Sequence, residues 1–161
     1  AAEGAGHDER WFGLAAGKVL NAEEMLDYLH QNDIRTAVIS NIGWSGNALT
    51  NRVNRLLPCN KFEFVMASSE YIIRKPDKIL FEIGLKKAGL SAGQVWYCGD
   101  SIMNDIIGAH HAGIYPVLYE ADTPGDINPY KHQNEGLTVD FDYLHIHDWR
   151  EMIAVLKELS V

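Results

Sequence analysis

Two aspartates five positions apart, Asp100 and Asp105, follow the apolar run VWYC in the segment VWYCGDSIMND. Carboxylates are costly to hold beside a buried strand unless something neutralises them, and a bound cation is the usual partner. Mg²⁺ takes few protein carboxylates and keeps water and phosphate oxygens in its shell. The pair therefore predicts a divalent-cation site with Asp100 and Asp105 as metal ligands.

Two other segments carry polar residues that suit the same chemistry. Ser40 and Asn41 follow the β-branched run TAVI, and Lys75 lies in a loop after the run FVMASS. Ser40, Asn41 and Lys75 together predict a phosphate-binding set of a hydroxyl, an amide and a fixed cation. Within that set we predict Ser40 and Lys75 as catalytic, because Lys75 would neutralise the charge that builds in the transition state.

These residues need elements that bring them to one edge of a sheet. Apolar and β-branched runs predict strands over residues 36–40, 62–68, 95–98, 115–119 and 137–146. Amphipathic patterns predict helices that start at Asn21, cover 45–57, run from Pro76 to Gly89 and from about Met103 to Gly113, and end the chain at 148–159. The alternation favours a doubly wound α/β fold with a mainly parallel sheet, whose ligand sites lie beyond the carboxyl ends of the strands.

Residues at the predicted helix ends fit known capping patterns. Asn21 with Glu24, and Asp148 with Glu151, have the spacing of capping boxes. Pro76 is expected in the first turn of its helix, where its missing N–H costs nothing.

Length and composition narrow the class of protein. The 161 residues suit one domain, and a formal charge of -8 disfavours a nucleic acid or an anionic membrane surface as the partner. The two cysteines, Cys59 and Cys98, have no metal-binding or disulfide-framework spacing, which favours a reducing cytoplasm. No stretch is long and apolar enough for a membrane span, and the first residues lack the order of a signal peptide.

Three of these segments together resemble the haloacid dehalogenase-like (HAD) hydrolase superfamily, most of whose members are Mg²⁺-dependent phosphatases. VISN with Ser40 is similar to its second motif, RKPD with Lys75 to its third, and GDSIMND with Asp100 and Asp105 to its fourth. The resemblance covers about 17–159, and the form GDSxxND resembles the phosphatase branch. It implies a Rossmann-like core, Mg²⁺ as cofactor and a small phosphorylated metabolite as substrate.

The chain departs from the family at its first motif, a strand ending in D-x-D that supplies the aspartate nucleophile. Nothing before Ser40 resembles it, and the cap domain is absent as well. The D-x-D at Asp140 to Asp142 precedes its apolar run YLHI, so a structural role is expected for it. The core is therefore predicted to lack its N-terminal central strand and cap. Residues 1–19 would be a linker or a remnant of the cap connection, and residues 20–161 an incomplete HAD-like core.

The resemblance implies a phosphomonoester hydrolase that works through an aspartyl-phosphate. Its nucleophile would come from a missing N-terminal segment of the same protein, and this chain alone would be inactive. The alternatives are a non-catalytic phosphate- or metal-binding module, a 2-haloacid dehalogenase and a phosphomutase. Taken singly, Ser40 would suit a helix cap and Lys75 a solvated loop. His145 and His147 have a zinc-compatible spacing without an apparent third ligand.

Overall fold

The structure is a computed structural model that describes residues 20–121 and 128–159, so the predicted linker at 1–19 lies outside the described residues. The strands are β1 (Val38–Ser40), β2 (Val65–Ala67), β3 (Trp96–Gly99), β4 (Tyr115–Tyr119) and β5 (Leu144–Ile146). The helices are α1 (Ala22–Gln31), α2 (Gly46–Leu56), α3 (Lys78–Ala88), α4 (Gly108–His111), α5 (Lys131–Asn134) and α6 (Trp149–Leu159). A π-helical segment, Ile102–Ile107, leads directly into α4, and 3₁₀ turns cover Ser68–Glu70 and Ala92–Gln94.

The five strands form two parallel sheets. β1 pairs with β2 in one, and the other has the order β3, β4, β5. Parallel neighbours need crossover connections, and helices in the intervening segments supply them on both faces. The predicted doubly wound α/β fold is confirmed, with every described strand pair parallel.

The two sheets meet at a seam bordered by β1 and β3, which share no backbone pairing in the described chain. A side chain bridges the seam, because the Tyr97 hydroxyl donates to the Ile39 carbonyl at 3.0 Å. Every residue of β1 and β3 is partly exposed, whereas Met66 of β2 and Val117 of β4 are 0% exposed. Strands at the middle of a covered parallel sheet are normally the most buried, so β1 and β3 are less buried than that position would predict.

Alternation along β4 divides the core between the two faces of its sheet. Val117 packs with Met25 of α1 and Met152 of α6, while its neighbour Leu118 packs with Ile106 of the π-helical segment. Side chains of successive strand residues point to opposite faces, so both faces are buried. None of the described helices is long and apolar enough to cross a membrane.

Neither of the two predicted capping boxes forms in the way that the sequence pattern indicated. Asn21 is the residue before α1, but it has a left-handed conformation (φ 63°) and its side-chain amide donates to the Asp148 carboxylate at 2.9 Å instead of capping the helix. Asp148 accepts from the N–H of Arg150, and Glu151 accepts from the N–H of His147, not from that of Asp148. The long-range amide bond to Asp148 replaces the local bonds that the sequence pattern indicated.

The observed bounds of two other elements also differ from the predicted ones. The helix predicted from Pro76 begins at Lys78, because Asp77 is its cap and accepts from the N–H of Ile79 at 2.9 Å. The last predicted strand shortens from 137–146 to 144–146, so Asp140 and Asp142 precede it.

Candidate functional site

The structure brings two sequence-predicted residues into direct contact. The Lys75 ammonium donates to Oδ1 of Asp105 at 2.5 Å, and both side chains are buried, with Asp105 2% exposed. Burial by itself would lower the pKa of Lys75, but the Tyr97 hydroxyl and the Asp105 carboxylate outweigh it and the pKa is raised. Lys75 is therefore a permanently charged cation held inside the protein.

Asn41 fixes the backbone that carries this lysine. Its side-chain oxygen accepts from the N–H of Lys75 at 2.8 Å, and its side-chain nitrogen donates to the Lys75 carbonyl at 2.9 Å. An amide that satisfies both backbone groups of one residue acts like a strand partner and holds the loop in a single position. The predicted phosphate contact of Asn41 stays a prediction. Because the side chain of Asn41 is occupied by Lys75, the contact would have to come from the backbone N–H of Asn41.

Tyr97 is a residue that the sequence prediction missed. Its hydroxyl accepts from the Lys75 ammonium at 2.9 Å and donates to Ile39 across the seam, and its ring packs edge-on against Phe81. Burial raises the pKa of Tyr97, so the phenol stays neutral and can act as donor and acceptor at once. A hydroxyl within a predicted buried strand needs a partner, and this was the available signal for its role.

The second oxygen of Asp105 is also occupied. Oδ2 accepts from the N–H of Ser101 at 3.0 Å, and the Ser101 hydroxyl accepts in turn from the N–H of Asn104 at 3.1 Å. The Ile106 N–H bonds to the Ser101 carbonyl at 3.2 Å, which gives the helix start its π-helical geometry. Such π-helical turns are frequent at functional sites, and here the turn sets the carboxylate below the end of β3.

Gly99 makes the approach of this carboxylate possible. A Cβ at Gly99 would lie 2.5 Å from the Cβ of Asp105 and would overlap its carboxyl carbon. Those atoms belong to the stem of a side chain that Lys75 and Ser101 fix in place, so they have little room to yield. The glycine before Asp100 is therefore a steric requirement of the site.

Gly99→Ala should lower the free energy of unfolding by about 1–3 kcal/mol, because the added methyl displaces Asp105 from Lys75. Gly93→Ala is the matched control, since nothing lies within 4 Å of a Cβ there. That control should stay within about 0.5 kcal/mol of wild type. Urea unfolding of both variants is the measurement, and equal midpoints for the two would contradict the steric role of Gly99.

Ser40 lies at the carboxyl end of β1, next to the seam. Among residues 20–121 and 128–159 its hydroxyl has no hydrogen-bond partner. It is flanked by Ile39, which bonds Tyr97, and by Asn41, which bonds Lys75. The hydroxyl is thus placed at the same edge as the buried cation, where an incoming anion could accept its hydrogen bond.

Asp100 follows β3 directly at the carboxyl edge of its sheet. Its backbone carbonyl accepts from the side-chain amides of Asn128, at 3.2 Å, and Asn134, at 2.9 Å. These two amides tie the loop after β4 to the end of β3. Asp100 is consequently anchored through its backbone, in a position that parallel-sheet sites use for ligands.

The predicted metal site needs more ligands than the described residues supply. Lys75 already occupies Asp105, and an ammonium beside a carboxylate competes with a cation for it. No group of three or more His, Cys, Asp and Glu side chains in the described part of the chain is arranged to hold a metal ion. These residues by themselves do not make a Mg²⁺ centre, and the ligand roles of Asp100 and Asp105 stay predictions.

Two other candidate groups lie elsewhere in the fold. Asp140 and Asp142 precede β5 and do not follow any strand, which is the expected structural placement. His145 lies 3.2 Å from a Glu120 oxygen, and His147 lies 3.8 Å from a Glu151 oxygen. Each histidine thus has a separate carboxylate neighbour.

Comparisons with known proteins show the family and the fold of this chain. The family model of the haloacid dehalogenase-like hydrolases matches residues 18–118. A glyceraldehyde 3-phosphate phosphatase of Methanopyrus kandleri is 29% identical over 99 residues, which are 62% of this chain and 40% of that protein. The chain thus matches less than half the length of this curated relative.

Solved structures share the fold. An uncharacterized protein from Listeria monocytogenes serotype 4b has a TM-score of 0.69 at 23% identity, over 86% of this chain and 80% of that one. The magnesium-bound HAD-hydrolase YfnB of Bacillus subtilis has a TM-score of 0.65 at 20% identity, over 84% of this chain and 54% of that one. At these identities the likeness concerns the fold alone. The family match, which spans well over half of the chain, shows that this protein belongs to the haloacid dehalogenase-like hydrolases.

Proposed function

We propose that the whole protein is a Mg²⁺-dependent phosphomonoester hydrolase, acting on a small phosphorylated metabolite through an aspartyl-phosphate. One observation carries this proposal. Asn41 holds the backbone of Lys75, while Tyr97 and Asp105 hold its buried ammonium. This lysine lies at the edge where β1 ends in Ser40 and where Asp100 follows β3. A pre-positioned cation next to hydroxyl and backbone donors stabilises the charge that develops on a transferring phosphoryl group. The phosphatase relative from Methanopyrus kandleri supports the same reaction class.

Each group of the chain would have a defined role. Ser40 and the Asn41 N–H would bind phosphate oxygens, and Lys75 would neutralise the charge that accumulates on them. Asn41 and Tyr97 would position Lys75, because they hold its backbone and its ammonium respectively. In this proposal none of these groups attacks phosphorus, so the chain would supply binding and charge stabilisation only.

The nucleophile would come from a strand that inserts at the seam. β1 and β3 each have one edge without backbone partners in the described chain, and both strands are partly exposed. A parallel strand between them would satisfy both edges and would end beside Ser40 and Asp100. A D-x-D at its end would supply the nucleophile and the acid and base. We assign this strand to an N-terminal segment of the same protein, which makes residues 20–161 an incomplete core.

Mg²⁺ is proposed for the whole protein, because magnesium is bound in the YfnB structure that shares this fold. When bound, it would supply positive charge to the phosphoryl oxygens. Asp100 would be the contribution of this chain to that site. We also propose a cytoplasmic location, and the free thiols of Cys59 and Cys98 support it.

The test compares the natural gene product with the pure 161-residue chain, after the intact mass of every polypeptide has been measured. With Mg²⁺, the natural product should hydrolyse p-nitrophenyl phosphate and lose that activity in EDTA, whereas the pure chain should not exceed background. Mg²⁺-dependent turnover by the pure chain, lost in Asp100→Ala, would show that the nucleophile is internal. Phosphate binding by the natural product without turnover of any phosphomonoester would instead favour the non-catalytic module.

A further inference from the structure

A cleft opens beside the proposed phosphate site, at the carboxyl ends of β1 and β2. Its volume is about 300 Å³, and three loops line it, at 41–43, 68–69 and 72–74. Two of those loops end next to site residues, because Asn41 follows Ser40 and Arg74 precedes Lys75. A ligand whose phosphate is held at Ser40 and Lys75 could therefore place the rest of its molecule in the cleft. This volume is at the small end of ligand pockets, which suits a body of a few carbon atoms.

Most polar side chains of the cleft are already engaged within the protein. The Ser68 hydroxyl accepts from the Ile42 N–H at 3.2 Å, and the Ser69 hydroxyl donates to the Trp44 carbonyl. The Asn41 amide is held by the backbone of Lys75. These bonds shape the walls of the cleft and leave few side-chain donors for a ligand.

Arg74 is the exception, and it is the single charged residue that lines the cleft. It is exposed and forms no ion pair or hydrogen bond through its side chain with any residue in 20–121 or 128–159. This is notable in a chain with 22 acidic residues against 14 basic ones. Arg35 with Glu63 and Arg150 with Glu24 do have carboxylate partners, whereas the exposed Arg55 has none among the described residues, so what distinguishes Arg74 is its position in the cleft. The Arg74 guanidinium is thus available for an anion from outside the described chain.

Isoleucines form the apolar part of the same cleft. Ile72 is 96% exposed and has a left-handed backbone conformation (φ 57°), which is a strained geometry for a β-branched residue. Together with Ile42 and Ile73 it gives the cleft apolar surface next to one cation. This combination fits a short carbon chain that ends in a negative charge.

We propose that the substrates of this protein are small phosphomonoesters with a second anionic group, such as a carboxylate, and that Arg74 binds that group. The inference rests on the proposed function, since it places the phosphate at Ser40 and Lys75. Arginine binds carboxylates through two parallel N–H bonds, which gives both affinity and orientation. Arg74 is then a specificity residue for the body of the substrate and takes no part in the attack on phosphorus.

The experiment uses calorimetric titration of the natural gene product with two phosphonates, whose C–P bond resists hydrolysis. 3-Phosphonopropionate carries the second anion, and propylphosphonate has the same chain without it. Wild type should bind the first about 10- to 100-fold more tightly, the value of one charged hydrogen-bonded contact. Arg74→Gln should abolish that preference and leave the affinity for propylphosphonate unchanged. Arg55→Gln is the matched control, because Arg55 is exposed on α2 and does not line the cleft.

The outcomes separate this inference from the proposed function. Equal binding of the two phosphonates by wild type, binding of neither, or a preference that survives in Arg74→Gln would overturn the role of Arg74. A preference that is lost only in Arg74→Gln supports it, whether or not phosphomonoesters are hydrolysed. Absence of turnover would count against the proposed hydrolase and not against the recognition of the second anion.

Discussion

Lys75→Met is expected to lower the free energy of unfolding by about 3–5 kcal/mol, because it leaves the buried Asp105 carboxylate without its counter-charge. Methionine has a similar length and apolar character, so the change removes the charge with little loss of packing. The Asp105 side chain keeps its bond from the Ser101 N–H, but one such bond does not replace an ammonium at 2.5 Å. Urea unfolding followed by circular dichroism measures the change.

The matched control is Lys78→Met, which breaks an exposed pair with Glu82 at 3.4 Å and should cost less than about 1 kcal/mol. A double variant, Lys75→Met with Asp105→Leu, should regain most of the lost stability, because an apolar pair can replace a buried ion pair. Equal losses in Lys75→Met and Lys78→Met would show that Asp105 does not depend on this ammonium.

The pH dependence of this pair follows from the raised pKa of Lys75. A group whose folded pKa lies above its unfolded value of 10.5 contributes its full stability below that value. The contribution is lost as the pH rises through the folded pKa. The difference in stability between wild type and Lys75→Met should therefore be constant at neutral pH and shrink only under strongly alkaline conditions.

In the natural gene product, Asp100→Asn is expected to reduce kcat/KM for a phosphomonoester by about 10²–10³-fold or more, the usual effect of removing one group that organises charge in a site. Asparagine keeps the size of the side chain. The bonds that Asn128 and Asn134 donate go to the backbone carbonyl and do not depend on the carboxylate. The activities are therefore compared at a temperature at which thermal unfolding shows both wild type and Asp100→Asn to be folded.

Asp140→Asn is the matched control for that variant. Asp140 is exposed and precedes β5, away from the carboxyl ends of β1 and β3. The activity of the Asp140→Asn variant should therefore equal that of wild type. Steady-state kinetics and thermal unfolding of the two variants give the comparison. Full activity in Asp100→Asn would remove Asp100 from the proposed site, and loss in Asp140→Asn would revive its D-x-D as a functional pair.

Several helix ends show where local patterns were insufficient. Gly89 ends α3 as the sequence indicated, whereas Ser45, predicted as the first residue of its helix, lies just before α2 and caps it by accepting from the N–H of Ala48. Both contacts involve residues three or four positions apart. Asn21 satisfied the same local rule, yet its amide lies with Asp148, which is 127 residues away. A long-range carboxylate acceptor for the Asn21 amide replaced the local cap, and nothing in the neighbouring sequence could indicate that partner.

The sequence by itself determined the alternation of strands and helices, the family, and the identity of Ser40, Lys75, Asp100 and Asp105 as candidate residues. Periodicity and motif spacing are properties of short segments, so they survive without knowledge of the fold. The absence of a D-x-D after any early strand was also visible in the sequence.

Only the tertiary structure decided how these residues are connected. The contact between Lys75 and Asp105 spans 30 residues, and the bond from Tyr97 to Ile39 spans 58 and crosses the seam between two sheets. Such contacts depend on the order and register of the strands, which the sequence pattern does not encode locally. For the same reason the steric role of Gly99 and the cleft at Arg74 became visible only once the loops after β1 and β2 had been placed side by side.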